Sequence, residues 1–192
     1  AGNADFCETT LTVQDNIGTC SNTSNVVVSG ILKTEMLNGV EESEVNLQGT
    51  PPNGLPEVIT FDMSDNLGSF WFINAIPMGS NYTITPKKND NPLNGLTTYD
   101  LVLISKHILG IEPLGSPYKM IAADANKSNS VTTFDIVEFR KLILGIYQNL
   151  PNNESWRFVD NSYTFPNTDN PFQEAFPESR SVSDMQSNDF NI

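Results

Sequence analysis

Apolar and polar positions along this chain change period twice. From residue 25 to about 87 the period is two. Val26-Val27-Val28-Ser29-Gly30-Ile31-Leu32 reads as a strand; Glu44 to Gln48 and Val58 to Phe61 alternate. Asp65-Asn66-Leu67-Gly68 predicts a turn into Ser69-Phe70-Trp71-Phe72-Ile73, and Ile76-Pro77-Met78-Gly79 a second turn into Tyr82-Thr83-Ile84-Thr85. Short strands with turns at this spacing predict an all-β sandwich or small barrel. Thr9 to Gln14 alternates like one further strand, inside a segment, 1–24, that is otherwise a fragment. A lone strand is not stable, so it must pair with this chain or with another.

From residue 88 to about 149 the period becomes helical and the sequence repeats. Asn91 to Asp100 superimposes on Asn126 to Asp135 at an offset of 35 positions. The match continues through Lys106 and Lys141 to Ile108-Leu109-Gly110-Ile111 and Ile143-Leu144-Gly145-Ile146. Leu101, Ile104, Ile108 and Ile111 make one helical stripe, and Ile136, Phe139, Ile143 and Ile146 repeat it. Thr97 with Asp100, and Thr132 with Asp135, have capping-box spacing. Gly110 and Gly145 stand where a helix end favours a left-handed residue. The two helices are expected to pack stripe to stripe, with residues 112–123 as plain linker. Residues 150–192 lack periodicity. Trp156, Phe158, Tyr163, Phe165, Phe172 and Phe176 punctuate them, which predicts an extended tail pinned by aromatics, its end (182–192) a possible edge strand.

Charge narrows the partners. With 23 acidic and 10 basic residues the net charge is -13. No basic patch suits nucleic acid or an anionic membrane. No apolar run is long enough to span a bilayer, so membrane insertion is not expected. Cys7 and Cys20 lack a third cysteine or a nearby histidine for zinc. A disulfide between them is expected, and with it an oxidising, secreted setting.

The polar turn before each helix carries the chemistry. A 12-residue calcium loop supplies oxygens from positions 1, 3, 5, 7, 9 and 12. Counted from Asp124, these are Asp124, Asn126, Ser128, Ser130 (by its carbonyl), Thr132 and Asp135. Asn129 stands at position 6, where a left-handed residue is usual, and Asn tolerates that conformation. In the first copy the positions are Asn89, Asn91, Leu93, Gly95, Thr97 and Asp100. Leu93 offers only a carbonyl and one carboxylate remains, so that site is expected to be weaker. The bland reading of either loop is a polar turn before a capped helix.

Two resemblances follow from these motifs. Ser29-Gly30-Ile31, the hairpin Asp65 to Phe72 and the stretch Pro77 to Ile84 resemble the carboxypeptidase-regulatory-like, Cna-B-like sandwiches. That resemblance implies a prealbumin-like β-sandwich acting as a spacer, without chemistry. The loop–helix repeat resembles dockerin type I modules, each half a calcium loop and a helix ending in Leu-Gly. It implies calcium at both loops and, in that family, docking on cohesin domains. The partner-reading positions here hold Thr98-Tyr99 and Thr133-Phe134, unlike the small hydroxyl residues frequent there. Together the resemblances imply a modular bacterial surface protein. In such chains both terminal pieces are expected to be strands that complete neighbouring subunits, giving self-association into a polymer.

No catalytic constellation emerges. His107 is the only histidine and reads as helix-flank packing; no Gly-x-Ser-x-Gly elbow is present. Trp71 and the tail aromatics read as core before they read as a sugar platform. The fold class expected is mainly β with a small α part: a terminal strand segment (1–24), a β-sandwich (25–87), a dockerin-like calcium repeat (88–149) and an extended tail (150–192). The function expected is a non-enzymatic, extracellular structural module held rigid by Ca2+. The alternatives are a dockerin-like module docking on a cohesin-like or surface partner, and an accessory domain of a polysaccharide-active protein.

Overall fold

The computed structural model describes residues 7–14, 25–51 and 57–185. Over the described residues the chain is mainly β, with two four-stranded sheets and three short helices. It divides into two units. The strand unit comprises Cys7–Lys87, Phe158–Asn161 and the stretch from Pro177; the helical unit comprises Lys88–Arg157 and Ser162–Phe176.

In the strand unit, β1 (Cys7–Gln14), β2 (Asn25–Lys33), β5 (Ser69–Pro77) and β7 (Phe158–Asp160) form a sheet in the order β5-β2-β1-β7. Strands β3 (Glu44–Thr50), β4 (Val58–Met63), β6 (Asn81–Lys87) and β8 (Arg180–Val182) form the second, in the order β4-β3-β6-β8. All pairings are antiparallel except β1 with β7. The period-two pattern is realised as one-faced burial in β2, β3, β5 and β6, whereas in β4 the alternating apolar residues Ile59, Phe61 and Met63 lie on the exposed face. Val26, Val28, Leu32, Phe70 and Phe72 are buried from the first sheet, and Val45, Leu47, Tyr82 and Ile84 from the second. Phe70 and Phe72 meet edge to face at 5.7 Å.

Two close approaches explain why glycine stands where it does. The Tyr82 ring packs onto Gly49, where a Cβ would lie 2.1 Å from its Cδ1. Gly68 turns the β4–β5 hairpin at φ +80, and a Cβ there would meet the Leu32 carbonyl at 2.0 Å. Asp65 builds that turn: its Oδ1 accepts the N–H groups of Leu67 and Ser69 at 2.9 and 2.8 Å.

Several expectations change here. Residues 150–192 are not all tail: β7 pairs in parallel with β1 and β8 pairs with β6, so both sheets gain an edge strand from this region. A three-residue strand is too short to announce itself by periodicity. Strand β5 runs on past Ile73 to Pro77, so of the expected turn Ile76 to Gly79 only Met78 and Gly79 (φ 74) turn. Trp71 is 48% exposed, because Phe70 and Phe72 on either side of it take the inward face. Cys7 lies in β1, but Cys20 lies outside the described residues, and with it the expected disulfide. Residues 1–6 and 186–192, the extremes of the expected exchanging strands, lie outside them too. The described part of the first segment, β1, pairs within this chain.

The helical unit holds α1 (Thr98–Ile108), α2 (Pro117–Ala123) and α3 (Thr133–Ile143). Both capping boxes form. The Thr97 and Thr132 hydroxyls take the N-cap role, and Asp100 and Asp135 reach back to the N-cap N–H at 2.6 and 2.7 Å. Gly110 (φ 67) and Gly145 (φ 71) end the helices in left-handed conformation. Their N–H groups, and those of Ile111 and Ile146, return to carbonyls of the last turn in the Schellman pattern.

Ile104 and Phe139 pack with Ala123 and Ala125, flanked by Leu101, Ile108 and Ile136. The ends of the two expected stripes do not join this core: Ile111 and Ile146 are 69% and 65% exposed. The left-handed glycine before each redirects the chain off the helix axis, so helical spacing no longer applies to them. The expected linker contains α2, started by a Ser116 cap and Pro117 in its first turn. The stretch Ser162–Phe176 is irregular and held by aromatics: Phe165 meets Tyr118, Tyr163 and Phe176 at 5.5, 5.1 and 5.9 Å. No helix among the described residues is long and apolar enough to cross a membrane.

Candidate metal centre

The second loop leaves α2 at Asp124 and enters α3 at Asp135. Asp124 is the C-cap of α2, with φ -80 and ψ 78, and Asp135 is the third residue of α3. Both side chains are 0% exposed, which is costly for a carboxylate unless something compensates. Part of the compensation is local. Asp124 Oδ1 accepts the Ser128 N–H at 2.9 Å and its Oδ2 accepts the Asn129 N–H at 2.8 Å. Asp135 Oδ1 accepts the Asn126 N–H at 3.3 Å, while its Oδ2 takes the Thr132 N–H and hydroxyl at 2.7 and 3.1 Å. The loop is thus wound around its two acids by its own backbone.

Left-handed residues permit the winding. Lys127 and Asn129, at positions 4 and 6, have φ 56 and 60. The result brings neutral oxygens beside the acids. Ser128 Oγ lies 3.4 Å from Asp124 Oδ1, 3.0 Å from Ser130 Oγ and 3.3 Å from the Ser130 carbonyl. Oxygens that share one calcium ion at about 2.4 Å stand roughly 3 Å from one another, so this spacing suits ligands of a common ion. Asn126 Oδ1 faces the same turn, accepting the Ser128 N–H at 3.0 Å. Thr132 is committed otherwise: its hydroxyl caps α3, accepting from Phe134 N–H at 3.3 Å. Position 9 commonly reaches calcium through water, so this does not disqualify the loop.

Electrostatics point the same way. Burial pushes the Asp124 pKa up; the Ser128 and Asn129 N–H groups pull it down, the Asp135 charge pushes it up and Arg157 pulls it down, leaving it raised. The internal hydrogen bonds therefore do not fully offset the burial of this charge. No group of three or more His, Cys, Asp and Glu side chains forms among the described residues. The donor set here is two carboxylates with amide, hydroxyl and carbonyl oxygens, which fits a hard cation of calcium's size and suits nothing softer.

The first loop is built differently. Asn89 Oδ1 accepts the Ser155 N–H at 2.9 Å. The Leu93 carbonyl, the only oxygen that residue offers, takes the Leu96 N–H at 3.1 Å, and the Asn91 carbonyl takes that of Asn94 at 2.8 Å. Thr97 and Asp100 form the cap of α1. The left-handed residues are Asn91 (φ 44) and Gly95 (φ 75), positions 3 and 7 instead of 4 and 6. Pro92 stands at position 4, and its ring forbids the φ that Lys127 adopts. The two loops share a sequence register without sharing a backbone path.

Three residues outside the expected ligands also bear on the loops. Asn153 Nδ2 donates to the Asp124 carbonyl at 2.8 Å, Ser155 binds the first loop, and Arg157 influences the Asp124 charge. Nothing in the sequence pattern marked them, because they lie in a stretch without periodicity. His107 accepts the Leu114 N–H at Nδ1, 3.4 Å away, in keeping with a packing role. No family model matches the chain, and no curated protein or solved structure matches it.

Proposed function

We propose that this chain is a calcium-binding structural module of a secreted, extracellular assembly, with no catalytic role, stiffened by one ion in the loop from Asp124 to Asp135. The observation that carries the reading is two fully buried carboxylates in one 12-residue loop, with hydroxyl and carbonyl oxygens gathered beside them at ligand spacing. Asp124, Asn126, Ser128, the Ser130 carbonyl and Asp135 would hold the ion, with Thr132 reaching it through water. Calcium supplies charge compensation and coordination, nothing more. Because the site exists only when folded, an ion at 100 times its Kd adds about 2.7 kcal/mol of stability. The one-faced burial of β2 and β5 in one sheet and of β3 and β6 in the other supports the prealbumin-like sandwich as the spacer, and the loop–helix repeat with its paired caps supports the dockerin-like half.

The test is thermal melting with calcium and with chelator, on wild type and Asp124→Ala. The expected result is a calcium-dependent rise in Tm for wild type that is absent in the variant. An unshifted wild type would overturn the reading.

A second reading, a docking module, is favoured by one observation. Tyr99 and Val102 on α1 with its C-cap Leu109, and Phe134 and Val137 on α3 with its C-cap Leu144, are exposed and related by the same 35-position offset. The repeat therefore presents two copies of an apolar face away from its own core. A stoichiometric complex with a cohesin-like domain, lost in Tyr99→Ser/Phe134→Ser, would favour this reading over self-assembly seen by electron microscopy.

A further inference from the structure

We infer that residues 153–155 are a latch that positions the second loop for its cation and ties it to the first loop, so that the two copies have divided the work; this rests on the calcium reading above. Asn89 and Asp124 are the first residues of the two loops, 35 positions apart. One short stretch of chain binds both. Asn153 donates its side-chain amide to the Asp124 carbonyl at 2.8 Å. Two residues later, the Ser155 N–H donates to Asn89 Oδ1 at 2.9 Å. The Ser155 hydroxyl donates to the Asp90 carbonyl at 3.0 Å, with the Lys88 carbonyl at 3.5 Å. Trp156 follows at once and is buried, which fixes the stretch in place.

The bond to Asp124 matters because of where that residue stands. At ψ 78 it has left the helical well of α2, and the direction of its peptide decides where its carboxylate aims. Asn153 holds that peptide from outside the loop, as outer groups hold the ligands of metal sites elsewhere. On the other side, the Asn89 oxygen, which would be the first ligand of the first loop, already accepts from Ser155. Pro92 removes the backbone turn a cation would need there. The first copy is thereby an anchor, the second a binding loop, and residues 153–155 the link. Asn153 is a positioning residue in this arrangement and does not itself touch the ion.

Coupling is reciprocal: if the latch helps the loop bind calcium, calcium must tighten the latch. The experiment is calorimetric calcium titration of the full chain as wild type, Asn153→Ala, Asn89→Ala and the double variant. Melting in chelator serves as the folding control, and hydrogen exchange of the Ser155 amide is followed with and without calcium. Asn153→Ala is expected to weaken calcium binding about tenfold. Asn89→Ala, in a loop that holds no ion, is expected to weaken it about threefold or more. Asn89→Asp keeps the acceptor and should restore wild-type affinity. The double variant should lose less than the product of the singles, since either cut opens the same latch. Calcium should slow exchange at Ser155. A wild type that takes up no calcium overturns the calcium reading and the latch with it. Calcium binding that both single variants leave unchanged, with exchange at Ser155 indifferent to the ion, overturns the latch alone.

Discussion

Lys127 holds φ 56 at the loop position that Pro92 occupies 35 residues earlier. A proline ring keeps φ near -65, so the first loop cannot trace the second loop's path whatever its other residues are. The expected outcome is one calcium ion per chain. With two carboxylates among the ligands, its Kd should fall in the weaker range of extracellular modules, around 10⁻⁴ M. Titration calorimetry checks both numbers. Asp135→Asn should abolish the binding heat, whereas Asp100→Asn should keep it and cost only part of a helix cap, about 1 kcal/mol. Two equal sites would contradict the assignment.

The raised pKa of Asp124 has a definite consequence for the cation-free protein. Burial, the largest cause, makes the charged form less favourable in the folded state than in the unfolded chain. Stability from this group is therefore fully present below the ordinary aspartate pKa of about 4 and is lost as pH rises through the raised value. In calcium-free buffer, scanning calorimetry from pH 4 to 7 should show wild type losing more Tm with rising pH than Asp124→Asn does. In saturating calcium the order should invert, because the ionised carboxylate is then a ligand. Parallel profiles in both conditions would count against this assignment.

Ser64 links two parts of the strand unit. Its hydroxyl donates to the Val40 carbonyl at 2.7 Å and accepts the Ser43 N–H at 2.9 Å, and all three residues are buried. Ser64→Ala leaves both backbone groups unpaired away from water. A loss of about 1–3 kcal/mol in urea denaturation is expected, with an unchanged calcium-induced shift.

Gly49 is covered by Tyr82, whose own hydroxyl donates to the Pro77 carbonyl at 2.9 Å. Gly49→Ala has nowhere to put its Cβ unless the ring moves and that bond breaks. It should cost about 1–3 kcal/mol. Tyr82→Phe, which keeps the ring and removes only the bond, should cost about 1 kcal/mol. If Gly49→Ala proved as mild as Tyr82→Phe, the close packing of the ring would be in question.

What the sequence alone determined was local. Period-two runs marked β2 to β6, and Thr-x-x-Asp spacing with a following Leu-Gly marked both ends of α1 and α3. These features depend on neighbours within one turn or one strand, so they are written in adjacent residues. The oxygen-bearing register from Asp124 to Asp135 was legible for the same reason. The tertiary structure decided the rest. Val159 and Ser181 pair with strands far away in sequence, and three residues carry no period. Trp71 turned outward because two stronger neighbours took the core. Pro92 was visible from the outset, but its meaning was not, since only the left-handed Lys127 shows which backbone path it forbids. Asn153 and Ser155 found the two loops across 29 and 66 positions of chain. A hydrogen bond over such a distance leaves no pattern in one sequence, because nothing nearby constrains either partner.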